Sequence, residues 1–299
     1  MCRHLAYLGP PASVGELLTR GTHSLRSQSW APREMRGGGT INADGFGVAW
    51  WAPPAEATPE HGSGVRWHGG MGSDPDEAET GPPQTTAGPP VVSRYRNASP
   101  IWTDPAVDEV LPQLHSTAVL AAIRSATVGM PVERAACAPF THGRWAFSHN
   151  GAIPDWRETL TAIAAQFGSP SLLEAESLTD SATLWVILRV LLEDGTDPGT
   201  ALRRVVAAVL ERSPKARLNL LVGDGETVWA TTRHHSLSVL VADDLAVVAS
   251  EPYDDDPRWR PIADRQLVVV RPGRLIVEPL AVEPPDASGN FSENERAFS

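Results

Sequence analysis

Thr117-Ala118-Val119-Leu120-Ala121-Ala122-Ile123-Arg124 is a continuous apolar run that ends on a charge. It lacks the alternation of a strand with one wet face, so it predicts a strand buried on both faces. Similar signals surround it. Leu5-Ala6-Tyr7-Leu8 reads as a buried strand near the start of the chain. Ala43-Asp44-Gly45-Phe46-Gly47-Val48-Ala49-Trp50-Trp51 reads as a glycine turn feeding a strand. Arg144-Trp145-Ala146-Phe147-Ser148-His149 predicts another strand, with Asn150-Gly151 following as a tight turn. Further strands are expected at 218–222, 227–231, 237–241, 245–249, 266–270 and 275–277.

Helices are predicted at 104–114, 156–167, 180–193 and 198–210. The third is apolar on nearly every side, through Leu184, Trp185, Val186, Ile187, Leu188, Val190, Leu191 and Leu192. Such a helix is buried between layers. Asp197 is placed to cap the fourth, with Pro198 in its first turn. Helices grouped between two strand-rich halves predict sheets covered by helices around one long-range core. No linker divides 2–282, which reads as one domain. Between 52 and about 91 the chain is rich in Pro, Gly, Glu and Thr, and only Val65-Arg66-Trp67-His68 resembles a strand. Segment 71–90 is expected to be a mobile surface loop, and the polar tail 283–299 to be disordered.

The bulk numbers exclude several classes. The chain has 299 residues, 41% hydrophobic and 20% charged, enough for a substantial core. Its 25 basic and 36 acidic residues give a net charge of -11. Such a surface does not displace the counterions of a nucleic acid, so no nucleic-acid partner is expected. No apolar run reaches the roughly 18–20 residues of a membrane span, and the N-terminus shows no secretory leader. Two cysteines are too few for a disulfide framework and fit a reducing cytoplasm.

Four features carry possible chemistry. Methionine before a small residue is normally trimmed, so Cys2 would begin the mature chain. Its α-amine, with an ordinary pKa of about 7.7–8.0, would then lie beside its own thiol as a base. The competing view is a frayed terminus. Arg124 follows a buried strand, where its planar fork suits either a carboxylate ligand or a structural ion pair. Asn150 offers a side-chain amide, and Gly151 a backbone N–H that no Cβ screens. Both suit a developing oxyanion, or simply an Asn-Gly turn. Asp180 opens the most buried helix, as a partner for a substrate ammonium or as a helix cap. Together they answer the groups of a γ-glutamyl amide: α-carboxylate, α-ammonium and scissile carbonyl.

Met1-Cys2, Arg124-x-Ala126-Thr127, His149-Asn150-Gly151 and Thr179-Asp180-Ser181 occur in the order found in class II glutamine amidotransferases, and the chain resembles their glutaminase domain over roughly 2–280. The resemblance implies an α+β fold, a four-layer αββα sandwich of two antiparallel sheets, the N-terminal-nucleophile hydrolase fold. It implies Cys2 as nucleophile on a strand end, and Asn150 and Gly151 as oxyanion donors. It further implies Arg124 as carboxylate anchor, Asp180 as ammonium anchor and Thr127 in the substrate site. Ala182 stands where many members have an acid.

Cys2-Arg3-His4-Leu5, Gln28-Ser29-Trp30-Ala31-Pro32-Arg33, Asn42-Ala43-Asp44-Gly45-Phe46-Gly47 and Ser250-Glu251-Pro252-Tyr253-Asp254-Asp255-Asp256-Pro257 look more specific. They are similar to the stand-alone amidohydrolases of ergothioneine biosynthesis, which remove glutamate from γ-glutamyl-hercynylcysteine sulfoxide. The expected partner is thus a small γ-glutamyl molecule. Alternatives are a glutaminase feeding ammonia to a partner synthase, and a non-catalytic scaffold of the same fold.

No cofactor or metal is expected. His4, His142, His149, His234 and His235 lack metal-ligand spacing, and Gly37-Gly38-Gly39 lacks the Lys-Ser/Thr of a phosphate loop. Cys137 reads as a small hydrophobe and Asp254-Asp255-Asp256 as a solvated turn. One of ten tryptophans is a candidate cation–π partner for a trimethylammonium, and the sequence assigns none of them.

Overall fold

The computed structural model describes residues 2–34, 41–52 and 91–280. The expectations for 71–90, 283–299, Val65-Arg66-Trp67-His68 and Gly37-Gly38-Gly39 lie outside the described residues. The strands in chain order are β1 (Arg3–Ser13), β2 (Phe46–Ala52), β3 (Val91–Asn97), β4 (His115–Ile123), β5 (Phe140–His142), β6 (Trp145–Ala152) and β7 (Arg217–Gly223). They continue as β8 (Val228–Thr231), β9 (Ser238–Ala242), β10 (Leu245–Ala249), β11 (Arg260–Pro261), β12 (Gln266–Arg271) and β13 (Arg274–Pro279). The helices are α1 (Val14–Thr19), α2 (Ala106–Glu109), α3 (Trp156–Gln166), α4 (Asp180–Glu193) and α5 (Pro198–Arg212).

Seven strands form one sheet in the order β11-β9-β10-β1-β4-β2-β3, and six form the other in the order β13-β12-β8-β7-β6-β5. Every pairing is antiparallel. The strand period of two sorts the side chains into layers. On β1, Leu5 and Tyr7 pack outward with α1 and α2, while Ala6 and Leu8 face the second sheet. On β7, Leu218, Leu220 and Val222 pack against α3, α4 and α5, while Leu221 faces inward. The result is the expected αββα sandwich. Six of the sixteen buried residues between the sheets are alanines, small enough to let two sheets share one thin core.

Several expectations are corrected. Asn150-Gly151 is not a turn: β6 runs through it, paired Asn150↔Asn219 and Gly151↔Leu218. The tight turn lies earlier, where Gly143 takes φ +55 between β5 and β6. The helix expected at 104–114 is only one α-turn between two 3₁₀ turns. Helix α4 has the expected bounds, yet Thr179 is its cap, its hydroxyl accepting the Ala182 N–H at 3.2 Å. Asp197 does cap α5, through the Thr200 N–H at 2.9 Å. Within β1 the register against β4 shifts between Leu8 and Ala12, a span holding Pro10 and Pro11, which have no N–H to give a ladder. Among the described residues no helix is long and apolar enough to cross a membrane.

The layer between the sheets changes character at one end. There His4, Ser148, Asn150, Asn219, His235 and Ser250 replace the apolar residues, all of them buried. The rings of His4 and His235 have no hydrogen-bond partner among the described residues. Burial first, then repulsion from His149 and Arg3, lowers His4 to about 3. Burial first, then Arg217 and His234, lowers His235 to about 2. Both rings are neutral in the fold, whereas in the unfolded chain each takes a proton below about 6.5. The unfolded state therefore binds more protons as pH falls, and stability is lost from about pH 6.5 downward. Each histidine should cost about 2 kcal/mol between pH 7 and pH 5. Denaturant midpoints at the two pH values should show this fall, and His235→Gln should lessen it. An unchanged pH slope in that variant would remove His235 from the account.

Candidate functional site

Cys2 stands just before β1, where Arg3 pairs with Ile123 of β4. By the alternation of the strand, Cys2 and His4 share the face of Ala6, the face turned to the second sheet. The Cys2 side chain is half-buried and its Sγ lies 3.8 Å from the Ser125 carbonyl. Cys2, Ala122, Ile123, Arg124, Phe140, Ser148, His149 and Ser181 are among the residues that line one narrow cavity of about 20 Å³. That is room for about one water molecule.

Arg124 ends β4. Its N–H donates to the Gly45 carbonyl at 2.8 Å, and its carbonyl accepts the Asp44 N–H at 3.0 Å. The Asp44 carboxylate takes the Ala126 N–H at 2.7 Å, fixing the chain just past Arg124. Among the described residues the guanidinium donates to the Pro131 carbonyl at 2.8 Å, and other N–H groups of its fork make no bond there. Thr127 is exposed on the next turn, where its carbonyl accepts the Met130 N–H.

Asn150 and Gly151 sit on the part of β6 that β5 does not reach, since β5 pairs only from Phe140↔Phe147 to His142↔Trp145. Of this stretch Ser148 and His149 line the cavity, while Asn150 and Gly151, like Asp180 and Thr127, are not among its lining residues, and β7 pairs with the stretch on its other side. Asn150 is fully buried, its Nδ2 lies 3.5 Å from the Ser250 hydroxyl, and its Oδ1 has no partner among the described residues. Gly151 has a packing reason to be glycine. A Cβ there would lie 1.8 Å from the Arg217 carbonyl and 2.4 Å from His149 Nε2. Those two atoms bond across the vacant position, His149 Nε2–H donating to Arg217 O at 2.8 Å. A carbonyl only accepts, so His149 carries its proton on Nε2 and its Nδ1 faces the Ser181 hydroxyl at 3.1 Å.

The Ser181 hydroxyl also lies 3.3 Å from the Asp180 carboxylate, so His149, Ser181 and Asp180 form a chain from β6 to α4. Asp180 is 8% exposed and accepts the Ile153 N–H at 3.0 Å and the Ser181 N–H at 2.8 Å. Its carboxylate is thus pinned beside the segment that follows Gly151.

Two residues with no role in the sequence reading hold the frame. The Ser250 hydroxyl accepts the His4 N–H at 3.0 Å and faces Asn150, tying β1 to the second sheet. Glu251 is 1% exposed and accepts the N–H groups of Arg33 at 3.1 and 3.0 Å and of Glu34 at 2.8 Å. It also lies 3.9 Å from the guanidinium of Arg3, which donates to the Glu34 carbonyl at 2.9 Å. Only the Ser250-Glu251-Pro252-Tyr253 stretch hinted at this pair, with no chemistry attached.

Cys137 packs on Gly45, where a Cβ would approach its sulfur to 2.4 Å, and it points at the Asn97 carbonyl at 3.3 Å. Burial pushes its thiol up to about 11, so it stays protonated and inert. In the Asp254 turn, Asp254 accepts the Trp259 indole N–H at 2.7 Å, so one acid of the run is structural. Among the described residues no three His, Cys, Asp or Glu side chains gather for a metal ion.

The family model for class II glutamine amidotransferases matches residues 96–243. The chain is 38% identical over 280 residues to the γ-glutamyl-hercynylcysteine sulfoxide hydrolase of Mycolicibacterium smegmatis, covering 94% of this chain and all of the relative. It is 37% identical to the enzyme of that name from Mycobacterium tuberculosis, over 90% of this chain and 93% of the relative. A glutamine aminotransferase class-II domain protein from Silicibacter pomeroyi shares the fold with a TM-score of 0.56 at 20% identity, covering 93% of this chain and 98% of that one. This chain belongs to the class II glutamine amidotransferase family.

Proposed function

We propose that this protein hydrolyses the γ-glutamyl amide of γ-glutamyl-hercynylcysteine sulfoxide, releasing glutamate and hercynylcysteine sulfoxide through a thioester on Cys2. The observation that carries this reading is one cavity edged by a cysteine just before the first strand, a half-buried arginine, and Ser148 and His149 on the stretch of β6 that β5 does not pair. It occurs in a chain alike over nearly its whole length to relatives named for that hydrolysis.

Removal of Met1 frees the α-amine of Cys2, which takes the thiol proton as sulfur attacks the glutamyl carbonyl carbon. Negative charge collects on the carbonyl oxygen, where Asn150 Nδ2–H and Gly151 N–H stabilise it. The C–N bond then breaks, and the leaving amine takes the proton held by the α-ammonium of Cys2. Water, activated by the same amine, attacks the thioester and releases glutamate with the thiol restored. Arg124 grips the α-carboxylate of the glutamyl group and Asp180 its α-ammonium. Thr127, on the turn just past Arg124, adds a hydroxyl near the carboxylate. Both cysteines are free thiols, and we place the protein in the reducing cytoplasm, where a nucleophilic thiol survives.

The purified protein should have lost Met1 by intact mass and should release glutamate from the sulfoxide conjugate far faster than ammonia from glutamine. Cys2→Ala should abolish both reactions. Preferred release of ammonia would instead identify a glutaminase, and a retained Met1 would remove the proposed base.

Asn150→Ala should lower kcat by about 10²–10³ with a smaller change in KM, because an oxyanion donor acts mainly in the transition state. A change confined to KM would make Asn150 a ground-state contact.

Asp180→Asn keeps the shape and one acceptor oxygen but loses the charge, and its NH2 replaces the acceptor of one of the Ile153 and Ser181 N–H groups. Steady-state kinetics should show kcat/KM down by at least about tenfold, the cost of leaving an ammonium unpaired, in a protein that still folds with a somewhat lower Tm. Full activity in a stable variant would reduce Asp180 to a structural residue.

A further inference from the structure

Trp30 and Trp102 are large apolar side chains standing 46% and 40% exposed. Their rings meet edge to face, with centroids 5.7 Å apart and planes at 88°. The packing of the fold does not require this corner. Two indoles at right angles, open to solvent, are the walls that quaternary ammonium groups occupy, because each ring presents a negative π face to a cation that cannot hydrogen-bond.

The corner lies at the Cys2 end of the first sheet. One row of paired residues crosses that end, Arg3↔Ile123, Ile123↔Phe46 and Phe46↔Asn97. Trp102 follows β3 by five residues, held by Asp104, which accepts the Asn97 amide at 2.6 Å. Trp30 lies on the segment whose far end Glu251 binds, beside Arg3. Its neighbour Ser29 accepts the Asn42 N–H, and that strip leads within two residues to Asp44 and Arg124. The segment bearing Trp30 is therefore bonded on one side to Glu251, which faces Arg3 next to Cys2, and on the other to the strip that leads to Arg124. From β1 to β3 is three strand spacings, or roughly 14 Å. The nearby cations are already paired, Arg26 with Asp108 at 2.8 Å and Arg33 with Asp255 at 3.7 Å.

We propose that the Trp30–Trp102 corner receives the trimethylammonium group at the far end of the leaving half. This rests on the substrate class proposed above. In hercynylcysteine sulfoxide the quaternary nitrogen lies about nine bonds from the scissile nitrogen, on the order of 10 Å when extended. That covers most of the roughly 14 Å from the end of β1 toward the end of β3. The corner then sets the specificity for the trimethylated conjugate and touches none of the reacting atoms.

Two measurements test it. In the first, wild type, Trp30→Ala and Trp102→Ala are compared on γ-glutamyl-hercynylcysteine sulfoxide and on its analogue with a primary amine in place of the trimethylammonium. Wild type should prefer the trimethylated conjugate by about tenfold or more in kcat/KM, and each variant should erase most of that preference. Trp30→Phe should keep part of it. A preference retained in both alanine variants overturns the proposal. In the second, the indole N–H signals of the Cys2→Ala protein are followed by NMR during titration with hercynine and with histidine. Shifts of the Trp30 and Trp102 signals with hercynine alone support the corner, and their absence overturns it. Wild type that fails to cleave the conjugate, while hercynine still shifts both signals, would refute the proposed reaction and leave the corner standing.

Discussion

Chain termini fray because they lack neighbours on one side, yet the role proposed for Cys2 requires a residue that is both first in the chain and held in place. Here the conflict is met by the position of β1. It lies inside the seven-stranded sheet with β10 on one side and β4 on the other, paired from Arg3 onward. Leu5, Ala6, Tyr7 and Leu8 are all buried, alternately in the outer and inner cores. Burying a large apolar side chain contributes roughly 1.5–3 kcal/mol, and ordering one residue's backbone costs about 1–2 kcal/mol. The first strand therefore stays docked, and Cys2 inherits its position from residues that do no chemistry.

Around that fixed strand, Ser250 and Glu251 act on opposite faces of one sheet. Adjacent residues of an extended chain point to opposite sides, so Ser250 reaches inward to His4 and Asn150 while Glu251 reaches toward Arg3, Arg33 and Glu34. One short stretch after β10 thereby sets the spacing between β1 and β6. It also fastens the segment that carries Trp30. Glu251 is nearly inaccessible, and its charge is balanced by Arg3 and by three bonds from backbone N–H groups. Without those partners a carboxylate there would be costly.

The same economy governs β6. Gly151 leaves a space that the His149–Arg217 bond fills, and His149 continues through Ser181 to Asp180. The missing side chain at 151 thus lets a histidine lock β6 to α4, and a side chain there would break that lock. The polar end of the inter-sheet layer carries a further cost, since the rings of His4 and His235 are held neutral with no hydrogen-bond partner among the described residues.

The sequence by itself determined the long elements and the chemical inventory. Runs such as Thr117–Ile123 and the all-apolar face of 180–193 are dictated by local pattern, since burial on both sides needs apolar residues throughout. The roles proposed for Cys2, Arg124, Asn150, Gly151 and Asp180 rest on their order, which matches a known family pattern. Local reading failed where a tertiary partner overrode local preference. Asn150-Gly151 reads as a turn, but β7 beside it keeps the backbone extended. Asp180 reads as a cap, but Thr179 one residue earlier has the extended backbone a cap requires, φ -125 and ψ 156. Only the tertiary structure decided which residues meet across the sheets. Ser250 with Asn150, Glu251 with Arg3, and Trp30 with Trp102 are separated by 100, 248 and 72 positions. No periodicity links residues so far apart, because the pairing of strands, not the spacing of letters, brings them together.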